Sequence, residues 1–266
     1  MVSLTASATL LALATLAIPA LAADDLPPSA ADDTPAHGLV GLGVASIPDT
    51  PGSDDQRTVV MPVLNVRFTQ VPFYLGNPFG GTPLQAGMAL PVGTHWTFGA
   101  ALSAQANDPR EATDAQRTAG VEDIDRAGMG SVFARWAADG FSATLTATRS
   151  LGDSEQGKAA TLRLQRTLQP NPRLRLTLGP SATWSDGEHM RTWYGVPTGS
   201  ARYAAYDPAG GLEEIALNLG ASIALSPQWI VGSGLQLAQL HGHARDSPLV
   251  EDDTPLRMSL FVARRF

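Results

Sequence analysis

The sequence predicts an all-β fold, a single antiparallel transmembrane β-barrel of about twelve strands within a range of about ten to fourteen. Three observations point there. Apolar and polar residues alternate along many strand-length segments, the connections between those segments alternate short and long, and aromatic rings gather at one end of the segments. Alternation is the period of a strand and gives it one apolar face. In a membrane barrel that face meets lipid, with short turns at one rim and longer loops at the other.

The first element lies outside the barrel. Residues 3–22, SLTASATLLALATLAIPALA, are uncharged and apolar and end in Ala20-Leu21-Ala22, a small-x-small pattern that predicts cleavage before Ala23. Pro19 and the acidic, proline-rich continuation ADDLPPSAADDTPAHG argue against a membrane-spanning helix. Residues 1–22 therefore read as a signal peptide, 23–37 as a disordered periplasmic segment and 38–266 as the barrel.

Strands are expected at about 38–46, 57–68, 71–76, 82–90, 95–105, 126–137, 140–150, 157–169, 172–185, 212–225, 228–240 and 256–266. The clearest is EIALNLGASIAL. Ile215, Leu217, Leu219, Ala221, Ile223 and Leu225 share one face, while Ala216, Asn218, Gly220, Ser222 and Ala224 share another that is small and polar enough for a lumen. TLRLQRTL and RLRLTLGPSATW repeat the pattern, as does the last segment, LRMSLFVARRF.

The connections at 69–70, 91–94, 138–140, 170–171 and 226–227 are short, whereas those at 47–56, 106–125, 186–211 and 241–255 are mostly long. An even strand number puts both ends of the barrel and its short turns in the periplasm. On this phasing Phe68, Trp96, Trp136, Phe141, Trp229 and Phe266 form an aromatic girdle at the periplasmic interface, with Tyr74 and Trp184 towards the outer ends. Arg166 and Arg264 interrupt the apolar face only near that interface, where their stems reach the headgroups. The aromatic-terminated last strand resembles the signal read by the bacterial barrel-assembly machinery.

Composition narrows the function. A net charge of −7 argues against general nucleic-acid binding, which needs cations to neutralise phosphates. The absence of cysteine removes disulfides, thiol chemistry and zinc–cysteine sites. Outside the leader no apolar run has the length of a membrane helix, so any crossing is by strands.

Candidate chemistry is sparse. HGHARDS gathers His241, His243, Asp246 and Ser247, residue types of hydrolytic sites, in one expected loop with no rigid element to orient a base against a nucleophile. His241 and His243 offer two metal ligands without an evident third. The sequence thus presents no catalytic set, metal site or cofactor motif. Asp54-Asp55, Glu122-Asp123-Asp125 and Glu251-Asp252-Asp253 make the outer loops acidic, either as solvated charge or bridged by divalent ions to lipopolysaccharide. Arg135, Arg163, Arg175 and Arg257 lie on faces expected to line the lumen, where they either tune a pore towards anions or pair with acids and help fill the barrel. Trp193, Tyr194, Tyr203 and Tyr206 fall in the 192–211 loop, as a binding surface or as packing over the barrel mouth.

From about residue 38 onwards, and most strongly after 175, the chain resembles the MltA-interacting protein (MipA/OmpV) family of outer-membrane proteins. GPSATW from Gly179, WYGV from Trp193, YDPAGGL from Tyr206 and DSPLV from Asp246 carry the resemblance, together with GLGVASIPDTPGSDD from Gly41. It implies a non-enzymatic outer-membrane barrel that meets outer-membrane lipid. It also implies a scaffold linking a lytic transglycosylase, which cuts murein, to a bifunctional penicillin-binding protein, which makes it. Some relatives are linked instead to adhesion, antigenicity or passage of small solutes, so a channel or surface adhesin is the alternative.

Overall fold

The computed structural model describes residues 36–77, 84–105, 110, 120–152, 156–200 and 202–266. The leader expected at 1–22 and most of the segment expected at 23–37 lie outside the described residues; Ala36 and His37 already belong to the first strand.

Twelve strands follow one another: β1 (Ala36–Pro48), β2 (Gln56–Phe68), β3 (Phe73–Gly76), β4 (Gln85–Val92), β5 (Trp96–Ala104), β6 (Gly128–Ala138), β7 (Phe141–Leu151), β8 (Lys158–Asn171), β9 (Leu174–Ser185), β10 (Gly211–Ala224), β11 (Trp229–Leu240) and β12 (Leu256–Arg265). Each pairs antiparallel with its neighbours in sequence, and β12 pairs with β1 from Leu39↔Arg265 to Ser46↔Met258, so the sheet closes into a barrel. Closure leaves no open edge, the condition for crossing a bilayer with strands.

The connections sort by rim. Turns of a few residues join β2 to β3, β4 to β5, β6 to β7, β8 to β9 and β10 to β11 at the turn rim, and the remaining connections form the loop rim. In the β6–β7 turn Asp139 and Gly140 both take positive φ, 49° and 71°. That is the pair of values a two-residue hairpin turn requires, and aspartate–glycine is among the pairs that supply it cheaply.

The apolar positions of the strands face outwards: Leu42, Leu102, Val132, Leu145 and Leu260 are each more than half exposed. In water so many bare large side chains would aggregate; against lipid they are solvated. The inward positions hold a mixed interior. Along β7 and β9 they are small and hydroxylated (Ser142, Thr144, Thr177, Ser181). Between the arginines at the ends of β2 and β12, the inward positions of β1, β2 and β12 are mostly apolar: Leu39, Val63, Phe261 and Ala263 pack with Ile230, and Ala45, Ile47, Val59 and Met61 form a second cluster.

Tyr74 departs from the sequence expectation. It points inwards, fully buried, pairs with Arg67 near the turn rim and meets Phe133 edge-on at 6.5 Å. Its ring lies over Gly87 and that of Phe133 over Gly99, where an added Cβ would come within 2.5 Å and 2.4 Å of them. Those two glycines make room for aromatic rings inside a narrow barrel, and single-sequence periodicity does not reveal such partners.

Candidate functional site

The loop rim is built inwards from one irregularity in β10. The β9–β10 register slips between Leu212 and Glu214, leaving Glu213 out of the ladder. A bulge of this kind redirects side chains, and both Glu213 and Glu214 are held by partners inside the barrel mouth.

Above Glu213 sits helix α1 (Gly187–Tyr194). Asp186 caps it, its carboxylate accepting the His189 N–H at 2.9 Å, and Glu188 places negative charge in the first turn. Eight residues are too few to be helical alone in water. Burial supplies the rest: Met190 and Tyr194 pack with Leu240 and with Ala244 of a second, four-residue helix, α2 (Gly242–Arg245).

Glu213 collects the donors under this cap. The Tyr194 hydroxyl donates to Oε1 at 2.9 Å, the Ser185 hydroxyl donates to Oε2, and His189 Nε2 lies 3.3 Å from Oε2. His189 Nδ1 faces the Gln156 carbonyl at 3.0 Å, so both ring nitrogens meet acceptors, which favours the doubly protonated imidazolium. Burial alone would lower the His189 pKa, but the charge and hydrogen bond of Glu213, helped by Gln156, outweigh it and raise the value above 6.5. Burial, and then the charge of Glu213, push the Tyr194 phenol well above its ordinary range.

Four other connections interlock with the one that carries α1, directly or through one another. From β5–β6, buried Arg110 donates to the Trp193 carbonyl at 3.1 Å and to the Glu122 carbonyl at 3.0 Å and 3.2 Å. From β7–β8, Gln156 reaches the Asp125 carbonyl and Gln105. From β11–β12, the Ser247 hydroxyl donates to the Tyr194 carbonyl at 2.7 Å, and the Glu251 and Asp252 N–H groups both donate to the Gly52 carbonyl of β1–β2. Burial pulls the Arg110 guanidinium down to about 10, opposed by Asp123, so it remains charged at neutral pH.

Below the cap a polar ladder runs along the lumen wall over β12, β11, β10 and β9. Arg257 Nη1 donates to Glu214 at 2.8 Å and to Gln236 at 2.7 Å, Gln236 donates to Asn218 at 2.9 Å, and Asn218 donates to the Ser181 hydroxyl at 2.9 Å. Every link is satisfied, which makes the network rigid. Charge in the lumen is lopsided. Seven arginines occupy inward strand positions (57, 67, 135, 163, 175, 257 and 265), and Glu213 and Glu214 are the only two acids in the described strands.

The lumen candidates Arg135, Arg163, Arg175 and Arg257 thus all sit on the inward face, though only Arg257 joins the ladder. Phe68, Trp96, Trp136, Phe141, Trp229 and Phe266 lie at or beside strand ends on the turn rim; Trp96 and Trp136 are register partners, and the Trp136 and Phe141 rings are 6.1 Å apart. The four loop aromatics do not form one surface. Trp193 and Tyr194 belong to α1, Tyr203 lies beside Arg202, and the Tyr206 hydroxyl donates to the His243 carbonyl at 2.9 Å.

Two loop expectations need correction. The 186–211 and 241–255 connections contain helices, because each can bury apolar residues against the other. In HGHARDS the helix holds His243, but Ser247 is buried and spent on the Tyr194 carbonyl, and among the described residues no three potential ligands cluster as a metal site would require. Glu213 and Glu214 escaped the sequence reading. Their trace is the adjacent acid pair in GLEEIALNL, two charges at the head of an otherwise apolar alternation.

These features define a transmembrane β-barrel with a lipid-facing exterior and described loop residues that engage one another at one rim. The family model described as MltA-interacting protein MipA matches residues 40–266, and the chain belongs to that family. No curated protein matches the chain. Among solved structures it is similar to the outer-membrane OmpT of Vibrio cholerae, at 10% identity over 91% of this chain and 100% of that one, with a TM-score of 0.38. It is also similar to an anion-selective porin from Comamonas acidovorans, at 9% identity over 87% of this chain and 98% of that one, with a TM-score of 0.34. Likeness at this level adds nothing to the fold already evident in the chain's own strands.

Proposed function

We propose that the protein is a non-catalytic scaffold of a Gram-negative outer membrane, with the turn rim in the periplasm, and that its partners there are a lytic transglycosylase and a bifunctional penicillin-binding protein. Family membership carries the partner class, since the family is described by interaction with MltA. The geometry supports the side. Connections at the loop rim are engaged with one another around α1, whereas the turns at Gln169–Arg173 and Leu225–Trp229 are exposed throughout.

In-cell crosslinking followed by affinity capture from detergent-solubilised envelopes tests this reading. Murein enzymes are expected in the capture, and Pro170→Glu combined with Pro227→Glu is expected to reduce them several-fold, while shortening 106–125 leaves them unchanged.

A second reading rests on the seven arginines and two acids at inward positions of the described strands: a small-solute channel that favours anions. Ion conductance in planar bilayers, with preference reversed by Arg163→Glu or Arg175→Glu, would replace the scaffold assignment with this one.

A further inference from the structure

The outer face of the barrel is not evenly covered. A groove of about 1380 Å³ runs along it from Phe68 and Phe73 at the turn rim to Trp184 and Asp186 at the loop rim. The strand register shows its course. Successive cross-strand pairs lead from Phe73 through Met88, Ala100, Val132 and Ala147 to Ala160 and Trp184, all outward positions. Phe73 opens β3 at one rim and Trp184 is the penultimate residue of β9 at the other. The row therefore crosses the wall obliquely, as strand tilt in a barrel demands. Ala100, Ala147 and Ala160 form a low floor, and Met88, Val132 and the terminal rings stand above it.

The neighbouring row runs from Leu75 through Ala86, Leu102 and Gly130 and ends in two adjacent cations, Arg149 paired in register with Lys158. Both are exposed, and Lys158 is the only lysine in the chain. The other outward arginines of the strands, Arg166 and Arg264, lie at the turn rim. The Arg149 guanidinium has no hydrogen-bond or ion-pair partner among the described residues. Asp186, the acid among the groove-lining residues, accepts the backbone N–H groups of Lys158 and His189 and partly offsets the Lys158 charge, so Arg149 is the cation left without an acid partner among the described residues.

We propose that this groove binds a phosphorylated, acylated lipid of the leaflet at the loop rim. One acyl chain lies along Ala160, Ala147 and Ala100, and a headgroup phosphate sits on Arg149 and Lys158. An apolar trough that spans towards the mid-membrane and ends in paired cations at headgroup level matches such a molecule in both shape and charge; a zwitterionic lipid would fill the trough but not neutralise the cations. A second barrel copy would bring no phosphate to them. The inference rests on the barrel crossing a membrane, and is independent of whether it acts as scaffold or channel.

The test is lipid retention by the full chain, refolded with a zwitterionic phospholipid and a minor fraction of hexa-acylated, bis-phosphorylated glucosamine lipid, read by native mass spectrometry on stepwise delipidation. Wild type is expected to keep one phosphorylated glycolipid after the zwitterionic lipid is gone. Arg149→Gln with Lys158→Gln should weaken retention by roughly 30-fold. Ala147→Leu, which raises the floor and keeps the cations, should weaken it as well, and Arg264→Gln should not. Equal retention by the double variant, no preference in wild type, or a dimer mass that Ala147→Leu abolishes would each overturn the proposal. Heat-modifiable gel migration of every variant separates loss of the site from loss of the barrel.

Discussion

The two rims of this barrel solve opposite problems. At the loop rim, long connections fold inwards, and several of their buried polar groups pair around Glu213 and α1. At the turn rim, connections are too short to fold over anything, and the chain places aromatic rings outwards and exposed residues in the turns. One rim is stabilised by its own interior, like a small soluble core; the other by what surrounds it. A substitution at the first should therefore be felt within the molecule, and one at the second in its dealings with the membrane and with partners.

The largest expected effect tests the turn rim. Phe266 exchanges backbone hydrogen bonds with Gly38 at the seam between β12 and β1, and its ring is exposed at the rim. Phe266→Asp would put a charge where lipid contact is expected, and the heat-modifiable, membrane-inserted form should fall to a small fraction of wild type. Normal membrane levels with normal gel migration would show the ring to be incidental.

The next effect belongs to the loop rim. Glu213→Ala would leave the hydroxyls of Ser185 and Tyr194 and the His189 ring without their shared acceptor, a loss of about 3 to 5 kcal/mol for breaking a buried charged pair. Hydrogen exchange should show the α1 amides losing protection while the barrel strands keep theirs. Uniform loss over cap and strands would mean that the two rims are not independent.

The smallest effect concerns pH. Because the His189 pKa is raised on folding, its contribution to the cap is complete below the unfolded value of 6.5 and is lost as pH rises through the folded value. Protection of α1 should therefore decline on alkalinisation from that value upwards, and His189→Gln should flatten the profile. A decline on acidification instead would reverse the assignment.

The strands were legible because each has a lipid-facing side: Ile215, Leu217 and Leu219 had to alternate whatever their neighbours were. The rims sorted by loop length for the same reason, since a short turn is a local property of the chain. The cap was illegible because none of its parts is stable alone. The α1 sequence GEHMRTWY is polar on balance, and it becomes helical only when Met190 and Tyr194 meet Leu240 and Ala244. Glu213 gained its role from a register slip that no periodicity announces. Arg135 and Arg163 could be assigned to the lumen from strand parity, yet parity alone does not reveal that Arg257 is the one that meets Glu214.

The pairing order also has a kinetic consequence. Eleven of the twelve pairings join strands consecutive in sequence, and each hairpin can form as soon as its own residues are available. The remaining pairing joins Leu39 to Arg265, across nearly the whole length of the chain. Loop-closure entropy makes that contact the costliest to nucleate, so β1 and β12 are expected to wait as the two bare margins of a nearly finished sheet. During assembly the molecule thus exposes one defined pair of unsatisfied edges. A folding factor that recognises the β12 edge would engage the intermediate at its slowest step, and its release would coincide with closure.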